Sequence, residues 1–282
     1  MSASKPSVVL MGSKPGSVVA LETMLARGWD VRCVVVSRTF GYPWVSGPTL
    51  EEYATARGIP VVTQRELSRS IEADFVISYM FRYRVQSDVI AMAGRAALNF
   101  HAGPLPEFGG WAFYNVAILE NSPEYGCTCH YMDDGFDTGP LLRVRRFPIE
   151  VKRETALSLE QRAQAEMVRL FVEFCELAES GDPLPKEEQD PAKRRYMSQE
   201  EFELLKKIPD GADAEAIDRT ARAFWYPPYG CAYADAGGQR IEVVPQIAKD
   251  EIAALFHRED YERLRAAAHD EGAKRSTARP PR

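Results

Sequence analysis

The side chains in this sequence that are best suited to chemistry are an amide, an imidazole and a carboxylate. Asn99 and His101 directly follow the apolar run 96–98 and are separated by one residue. On a strand, residues with this spacing point to the same face, so both groups can address one reacting atom. Asp137 lies beyond a segment long enough for one helix and one strand, which can return its carboxylate to the imidazole. We predict that the three side chains share one site.

The surroundings of these residues favour a site, although each residue also has a simpler interpretation. An Asn-x-His pair at a strand end is an ordinary capping or turn pair, and Asp137 in Asp-Thr-Gly-Pro suits a simple turn. The pair is followed, however, by a loop rich in Pro and Gly, residues 102–110. Long irregular loops on a rigid sheet are where binding and catalytic groups concentrate. Phe108 in this loop and Trp111 just after it are candidates for lining the site.

Short apolar runs alternate with helix-like segments through most of the chain. Strands are expected at residues 7–11, 29–37, 59–62, 73–79, 96–98, 125–132 and 141–149, and helices at residues 18–27, 50–57, 63–71, 111–120 and 155–180. This alternation predicts an α/β fold with an open, mainly parallel, Rossmann-like sheet and helices on both faces. Gly12 and Gly16 do not form G-x-G-x-x-G, so the pyrophosphate fingerprint of dinucleotide-binding dehydrogenases is missing. Ligands of such sheets bind at the carboxyl ends of the strands.

The C-terminal part is expected to form a smaller α+β unit. Residues 182–195 are rich in Pro and charge, helices are expected at 198–207 and 213–223, and a hairpin is expected at 231–234 and 240–244. The predicted organisation is a catalytic domain at 1–181, a linker at 182–197, a small domain at 198–270 and a disordered tail at 271–282. Trp225, Tyr226 and Tyr229 lie next to two prolines. This rigid aromatic group could stack a nucleotide base, sit at a subunit contact or plug the core between domains.

Composition excludes several classes of protein. The chain has 282 residues, of which 45% are hydrophobic and 27% charged, as in ordinary soluble proteins with one good-sized core. Its formal net charge of −6 argues against broad phosphate neutralisation, and no DNA partner is expected. No apolar run reaches the roughly 18 residues of a membrane-spanning helix. The N-terminus lacks a signal-peptide core, so a cytoplasmic location is expected.

The five cysteines are scattered and odd in number, which does not suit a disulfide framework. Cys127 and Cys129 point to one face of a predicted strand and His130 points to the other. A metal site is one interpretation of these three residues, and a buried strand is the favoured one. No cluster of Asp, Glu and His has convincing metal-ligand spacing, so no metal is expected.

Taken together, several segments resemble one known family. The motifs are Asn99-Phe100-His101, the Pro-Leu-Pro loop, Gly126-Cys-Thr-Cys-His130 and Asp137-Thr-Gly139. In this order they are similar to the formyltransferases that use 10-formyltetrahydrofolate. The resemblance covers residues 5–150 and extends to the run 222–229. It implies an N-formyltransferase whose formyl donor is 10-formyltetrahydrofolate, which needs no metal, and whose catalytic trio is Asn99, His101 and Asp137.

The resemblance also implies binding residues. The family's pterin pocket corresponds here to Ser78, Tyr79, Met80, Phe81 and Tyr83, together with Asp133. The aromatic side chains of this segment could instead pack between sheet and helices. The acceptor is expected to contact Phe108, Trp111, Trp225, Tyr226 and Tyr229. The run 222–229 and the segment 195–202 most resemble the branch that formylates amino sugars attached to nucleotides. The expected partner is therefore a dTDP- or GDP-linked amino-dideoxy sugar, and a homodimer through the C-terminal unit is expected.

Three alternatives stay open. A formyltetrahydrofolate deformylase would use water in place of the amine. A methionyl-tRNA formyltransferase belongs to the same class, although the C-terminal part lacks an obvious basic surface for tRNA. A non-catalytic folate or nucleotide binder would keep the scaffold alone. The chain also departs from the family loop, which usually carries a Ser and an aromatic-Arg-Gly where Gly103 and Phe108-Gly109-Gly110 stand here.

Overall fold

The computed structural model describes residues 5–37, 47–111, 113–227, 229–249 and 252–253. The chain divides into two compact units, with the boundary between Leu205 and Lys206. The predicted linker, residues 182–197, lies inside the first unit. The predicted tail, residues 271–282, falls outside the described residues.

The first unit is built on a sheet that alternates with helices along the chain. Its strands are β1 (Ser7–Gly12), β2 (Asp30–Val36), β3 (Val61–Val62), β4 (Ala73–Tyr79), β5 (Ala93–His101), β6 (Gly109–Gly110), β7 (Glu124–Tyr131), β8 (Leu141–Pro148) and β9 (Tyr196–Met197). Its helices are α1 (Pro15–Ala26), α2 (Leu50–Thr55), α3 (Ser87–Ile90), α4 (Phe113–Leu119), α5 (Ala156–Ser180) and α6 (Gln199–Leu205), with a 3₁₀ turn at Val151–Arg153.

The strand order confirms the predicted α/β class. Within the described residues, seven strands form one sheet in the order β3-β2-β1-β4-β5-β7-β8. The five strands from β3 to β5 are parallel, whereas β7 pairs antiparallel with both β5 and β8. β6 and β9 form a separate parallel pair, which brings the segment after α5 back to the loop that follows β5. The sheet is therefore mainly parallel, as the alternation predicts.

Helix α5 covers one face of the sheet, where it packs on side chains of β4 and β5. Thr155 caps its first turn through a reciprocal bond with Ser158, and Gly181 ends it with a left-handed φ of 82°. The ring of Phe171 lies 5.0 Å from that of Phe100 on β5, and the ring of Phe174 lies 5.3 Å from that of Phe75 on β4. Because these aromatic side chains are fully buried, they fix the two central strands against the helix.

The predicted helix at residues 63–71 is wrong. Leu67 N–H does bond the carbonyl of Thr63, but the following turns are not helical. The guanidinium of Arg69 donates to the carbonyls of Gln64 and Leu67, and it also pairs with Asp88. The Arg69 side chain thus bonds carbonyls that would accept from backbone N–H groups in a continued helix. The helical segment stops after one turn.

The second unit contains α7 (Ala214–Ala223) and an antiparallel hairpin of β10 (Ala232–Ala236) and β11 (Gln239–Val243). Asp213 caps α7 by accepting a bond from the N–H of Ala216. Trp225 is buried there in a small cluster with Cys231 and Ala248. The predicted helix and hairpin are confirmed in this unit.

Two further properties concern the whole described chain. All five cysteines are free and buried. None of the described helices combines the length and the apolar character needed to cross a membrane.

Candidate active site

Strand register brings an amide and two imidazoles to one face of the sheet. In the antiparallel pairing of β5 with β7, Asn99 lies directly opposite His130, and His101 lies opposite Thr128. Side chains on alternate residues share a face, so all four point the same way. Phe100 and Cys129, also opposite each other, point to the other face, where Phe100 packs against α5. The predicted common face of Asn99 and His101 follows from this pairing.

Asp137 reaches the same face from the loop between β7 and β8. Its Oδ1 atom lies 3.6 Å from Nδ1 of His101 and 3.5 Å from Nε2 of His130. Its Oδ2 atom accepts a 3.0 Å bond from the N–H of Gly110 on β6. The structure thus brings the predicted carboxylate to the predicted imidazole. It joins Asn99 to the group through His130, whose Nε2 lies 3.0 Å from Nδ2 of Asn99.

The backbone of Asp137 is held in an uncommon conformation. Its φ is 53°, in the left-handed region that few residues other than Gly, Asn and Asp adopt. The side-chain amide of Gln189 donates to the carbonyl of Asp137 at 2.9 Å and to that of Gly139 at 2.7 Å. A residue from the predicted linker therefore clamps the turn that carries the carboxylate.

The carboxylate is strongly stabilised in its charged form. Burial alone raises the pKa of Asp137, but the nearby charge of His101 and the hydrogen bond from the N–H of Gly110 help to hold that pKa well below its usual range. Asp137 is consequently a fixed negative charge between two imidazoles at any working pH.

The imidazole of His101 is positioned at both nitrogens. Nε2 lies 2.7 Å from the carbonyl oxygen of Phe108, which can only accept, so Nε2 carries a hydrogen. Nδ1 faces Asp137. The ring of Phe113 stands edge-on to the imidazole with centroids 4.6 Å apart. Both Phe108 and Phe113 belong to the wall of a neighbouring cavity.

This cavity has a volume of about 630 Å³ and opens beside the loop after β5. Its lining combines aromatic and charged side chains, among them Phe108, Trp111, Phe113, Arg194, Arg195 and Tyr196. Trp111 is 46% exposed and Tyr196 47% exposed, so both present ring surface to solvent at its mouth. Two of the predicted acceptor contacts, Phe108 and Trp111, line the cavity.

Most of the charged groups in the lining already have partners. Glu107 pairs with Arg146, and Arg195 pairs with Glu120. The side chain of Glu201 accepts bonds from Ser198 at the start of α6. Arg194 bonds only weakly, at 3.4 Å, to the carbonyl of Phe136, and no ion pair involves it within the described residues. The lining thus holds one cation that is available to an anionic ligand.

The predicted cofactor residues lie at and after the end of β4. Ser78 and Tyr79 are buried within the strand, and the ring of Tyr79 stacks on Phe100 at 5.7 Å, so Tyr79 belongs to the core. Met80 has a left-handed φ of 48°. Phe81 and Tyr83 follow in the loop, with their rings 5.9 Å apart.

The loop after β4 is tied to the loop that carries Asp137. Arg84 donates to the carbonyl of Asp134, and the Ser87 hydroxyl donates to its carboxylate at 2.5 Å. Asp133 accepts bonds from the N–H of Gly135 and the hydroxyl of Thr138, which shapes this turn. The two predicted cofactor segments are therefore neighbours beside the site.

The predicted C-terminal contacts belong to the second unit. Trp225 is a core residue of the second unit, and Tyr226 and Tyr229 pack on each other with ring centroids 5.5 Å apart. Among the described residues, no group of three or more His, Cys, Asp or Glu side chains is arranged to hold a metal ion.

Sequence reasoning missed His130, Gln189, Arg194 and Tyr196 as members of this region. His130 could have been found from its place opposite Asn99, but that requires the register of β5 against β7. The other three lie between α5 and α6, and the pairing of β6 with β9, together with the antiparallel bridge between Leu141 and Glu187, brings that segment to the site.

Comparisons with known proteins agree on one family. A model of the family described as formyl transferase matches residues 53–175. The methionyl-tRNA formyltransferase of Marinobacter nauticus is 30% identical in an alignment of 251 positions that covers 84% of this chain and 78% of that protein.

Solved structures share the fold. An N-formyltransferase from Helicobacter canadensis, in complex with folinic acid and dTDP-3-aminofucose, superimposes with a TM-score of 0.69 at 22% identity, covering 83% of this chain and 85% of that one. A 4-N formyltransferase from Francisella tularensis gives a TM-score of 0.67 at 15% identity, covering 85% of this chain and 96% of that one.

Proposed function

The chain belongs to the formyltransferase family, and we propose that it transfers the formyl group of 10-formyltetrahydrofolate to the amine of a nucleotide-linked amino sugar. The observation that carries this proposal is the position of Asn99, His101 and Asp137 next to a cavity of about 630 Å³. The cavity shares its wall, through Phe108 and Phe113, with the surroundings of the imidazole.

Formyl transfer makes three demands on the protein. The amine must attack while it is neutral, the tetrahedral oxyanion must be stabilised, and a proton must move from the attacking nitrogen to the folate nitrogen as the bond between that nitrogen and the formyl carbon breaks. The amide of Asn99 supplies a hydrogen bond to the oxyanion. The imidazole of His101 takes part in proton transfer, since imidazoles exchange protons near neutral pH. The fixed charge of Asp137 orients that imidazole and stabilises its cationic form.

The cavity suits a nucleotide-linked sugar as acceptor. Its volume of about 630 Å³ is within the range of small-molecule sites, roughly 300–1,000 Å³. Trp111 and Tyr196 offer ring faces on which a base can stack. Arg194 offers a guanidinium for the diphosphate. The H. canadensis protein, which has the same fold, binds folinic acid and dTDP-3-aminofucose, and this supports the same pair of ligand classes here.

The formyl donor is assigned to the neighbouring loops after β4 and β7. The segment from Met80 to Tyr83 supplies apolar and aromatic groups beside the Asp133 turn, and Arg84 ties the two loops together. A flat heterocycle needs a slot of this kind, with apolar walls and main-chain polar atoms at its edge.

A methionyl-tRNA acceptor is the second candidate, because the curated relatives carry that name. The formal net charge of −6 disfavours a tRNA partner, which requires a basic surface. A deformylase would consume the formyl donor without any amine. These alternatives therefore differ in the acceptor that supports turnover.

The test is the loss of 10-formyltetrahydrofolate, followed by absorbance, with dTDP-, GDP- and UDP-linked amino sugars, with methionyl-tRNA, and with no acceptor. Turnover with one amino sugar alone supports the proposal. Turnover with methionyl-tRNA alone, or without any acceptor, contradicts it.

Arg194→Ala tests the acceptor cavity in the same assay. Loss of a charge-assisted hydrogen bond costs about 1.5–3 kcal/mol, so KM for the acceptor should rise about 10- to 100-fold while kcat stays near that of wild type. Arg153→Ala, which removes an exposed guanidinium outside the cavity, is the matched control and should change neither constant. An unchanged KM in Arg194→Ala would remove the cavity from acceptor binding.

A further inference from the structure

We propose that His130 is a positioning residue that fixes the orientation of the Asn99 amide and so keeps this amide available to donate to the oxyanion. The inference rests on the proposed function, because it assigns His130 a part in the same site. It starts from the hydrogen bonds at the two ring nitrogens of His130.

The first nitrogen determines the tautomer of His130. Nδ1 lies 2.8 Å from the carbonyl oxygen of Tyr131. A carbonyl oxygen only accepts, so Nδ1 must carry a hydrogen. In the neutral ring, Nε2 then has a free lone pair and is an acceptor.

The second nitrogen determines the orientation of the amide. Nδ2 of Asn99 lies 3.0 Å from Nε2 of His130, and the two residues are directly opposite each other across β5 and β7. The amide therefore donates one of its two hydrogens to the ring. If the amide were turned by half a rotation, its oxygen would meet the lone pair of Nε2, and two acceptors would face each other without a hydrogen.

The second hydrogen of Asn99 remains free for the reaction. His130 is only 3% exposed, whereas Asn99 is partly exposed, so Asn99 is the more accessible of the two residues to a ligand. With one hydrogen bound to His130, the planar amide has a defined direction for the other, which is the preorganisation that oxyanion stabilisation requires.

The neighbouring carboxylate shows why the neutral ring matters. Oδ1 of Asp137 lies 3.5 Å from the same Nε2 atom, and His101 faces the same oxygen from the other side. In a cationic His130, Nε2 would carry a hydrogen and could bind either Asp137 or the oxygen of Asn99. The amide would then have to turn, and Asn99 would no longer present its hydrogens in the same direction.

Four variants test the proposal in the transferase assay: His130→Gln, His130→Leu, Asn99→Ala and the double variant Asn99→Ala/His130→Leu. His130→Leu removes the acceptor and should lower kcat about 10- to 100-fold, with KM for both substrates changed little. His130→Gln keeps a neutral side-chain oxygen that can accept from Asn99, so kcat should recover to within a few fold of wild type.

The double variant separates positioning from a general structural role. If His130 acts through Asn99, adding His130→Leu to Asn99→Ala should lower kcat no further. Additive losses, or a His130→Gln variant as slow as His130→Leu, would overturn the proposal. Thermal unfolding of each variant checks that the fold is intact.

A measurement without turnover keeps this inference separate from the proposed function. Nitrogen NMR of labelled wild-type protein should show His130 protonated at Nδ1 and two distinct hydrogen signals on the Asn99 amide, which shift in His130→Leu. A ring protonated only at Nε2, or Asn99 signals that do not change, would contradict the pairing. If the pairing is found but no acceptor supports turnover, the proposed function fails while the pairing stands.

Discussion

Gln189 holds the turn that carries Asp137, so changing its amide should disturb the site from outside. Nε2 of Gln189 donates to the carbonyls of Asp137 and Gly139 at 2.9 and 2.7 Å. Both partners can only accept, so the amide cannot be reversed without setting its oxygen against two carbonyl oxygens. Gln189→Glu keeps the shape of the side chain and imposes that arrangement.

The size of the effect follows from the two bonds. Each hydrogen bond contributes about 0.5–1.5 kcal/mol net, so the pair holds the turn by about 1–3 kcal/mol. If loss of the two bonds displaces the Asp137 carboxylate and raises the activation barrier by this amount, kcat/KM should fall about 5- to 150-fold, since about 1.4 kcal/mol corresponds to a factor of ten. The glutamate variant should fall at the upper end of this range, because it adds repulsion to the loss of both bonds.

The assay is the steady-state rate of formyl transfer, with Gln189→Leu and Gln239→Glu beside Gln189→Glu. Gln239 is exposed at the start of β11 in the second unit, so its substitution makes the same charge change away from the site. We expect Gln239→Glu to match wild type and Gln189→Leu to be intermediate. A Gln189→Glu enzyme within about two-fold of wild type would refute the reasoning, since the turn would then be held by other contacts such as the Gly110 N–H.

Three other predictions concern the backbone, the core and the thiols. Gly110→Ala should abolish most formyl-transfer activity, because φ is 83° and a Cβ would lie 2.7 Å from the carbonyl of Met197. Gly181→Ala has a similar φ of 82° but open space around it, so it should lower the free energy of unfolding in urea by only about 1 kcal/mol. Phe174→Ala should lower the free energy of unfolding by about 3–5 kcal/mol in the same measurement, and a loss under 1 kcal/mol would contradict its place in the core. Burial raises the pKa of Cys127 and of Cys175 to about 12, so these thiols should resist an alkylating reagent at mildly alkaline pH and react only after denaturation, as counted by mass spectrometry.

Local patterns in the sequence were enough to predict the strands of the main sheet and most of the longer helices. The strand β4 and the helix α5 follow from apolar runs and helical spacing, and Gly181 marks the end of α5 as expected. The predicted helix at 63–71 does not form, for a physical reason that the spacing of apolar residues does not show. Its carbonyls are satisfied by the guanidinium of Arg69, which is itself held by Asp88 from α3.

The site could be predicted only in part. Some of its contacts depend on the register between β5 and β7, and others on the segment after α5, which returns to the site. Asn99 and His101 share a face by simple alternation, which a sequence displays. His130 joins them because β7 is antiparallel to β5 with Asn99 opposite His130, and this alignment is set by tertiary packing. Gln189 lies in a stretch whose composition predicts a linker, yet the pairing of β9 with β6 brings the neighbouring chain to the turn that carries Asp137.

The most direct test of the central claim follows an isotopically labelled formyl group from 10-formyltetrahydrofolate to product by mass spectrometry and NMR. With wild-type enzyme and the amino sugar that supports turnover, the label should appear as an amide on the sugar nitrogen. In Asn99→Ala, His101→Ala and Asp137→Asn it should remain on the folate, at rates lower by at least about 100-fold. Label released as free formate by wild type, or transferred at an undiminished rate by the three variants, would contradict the account.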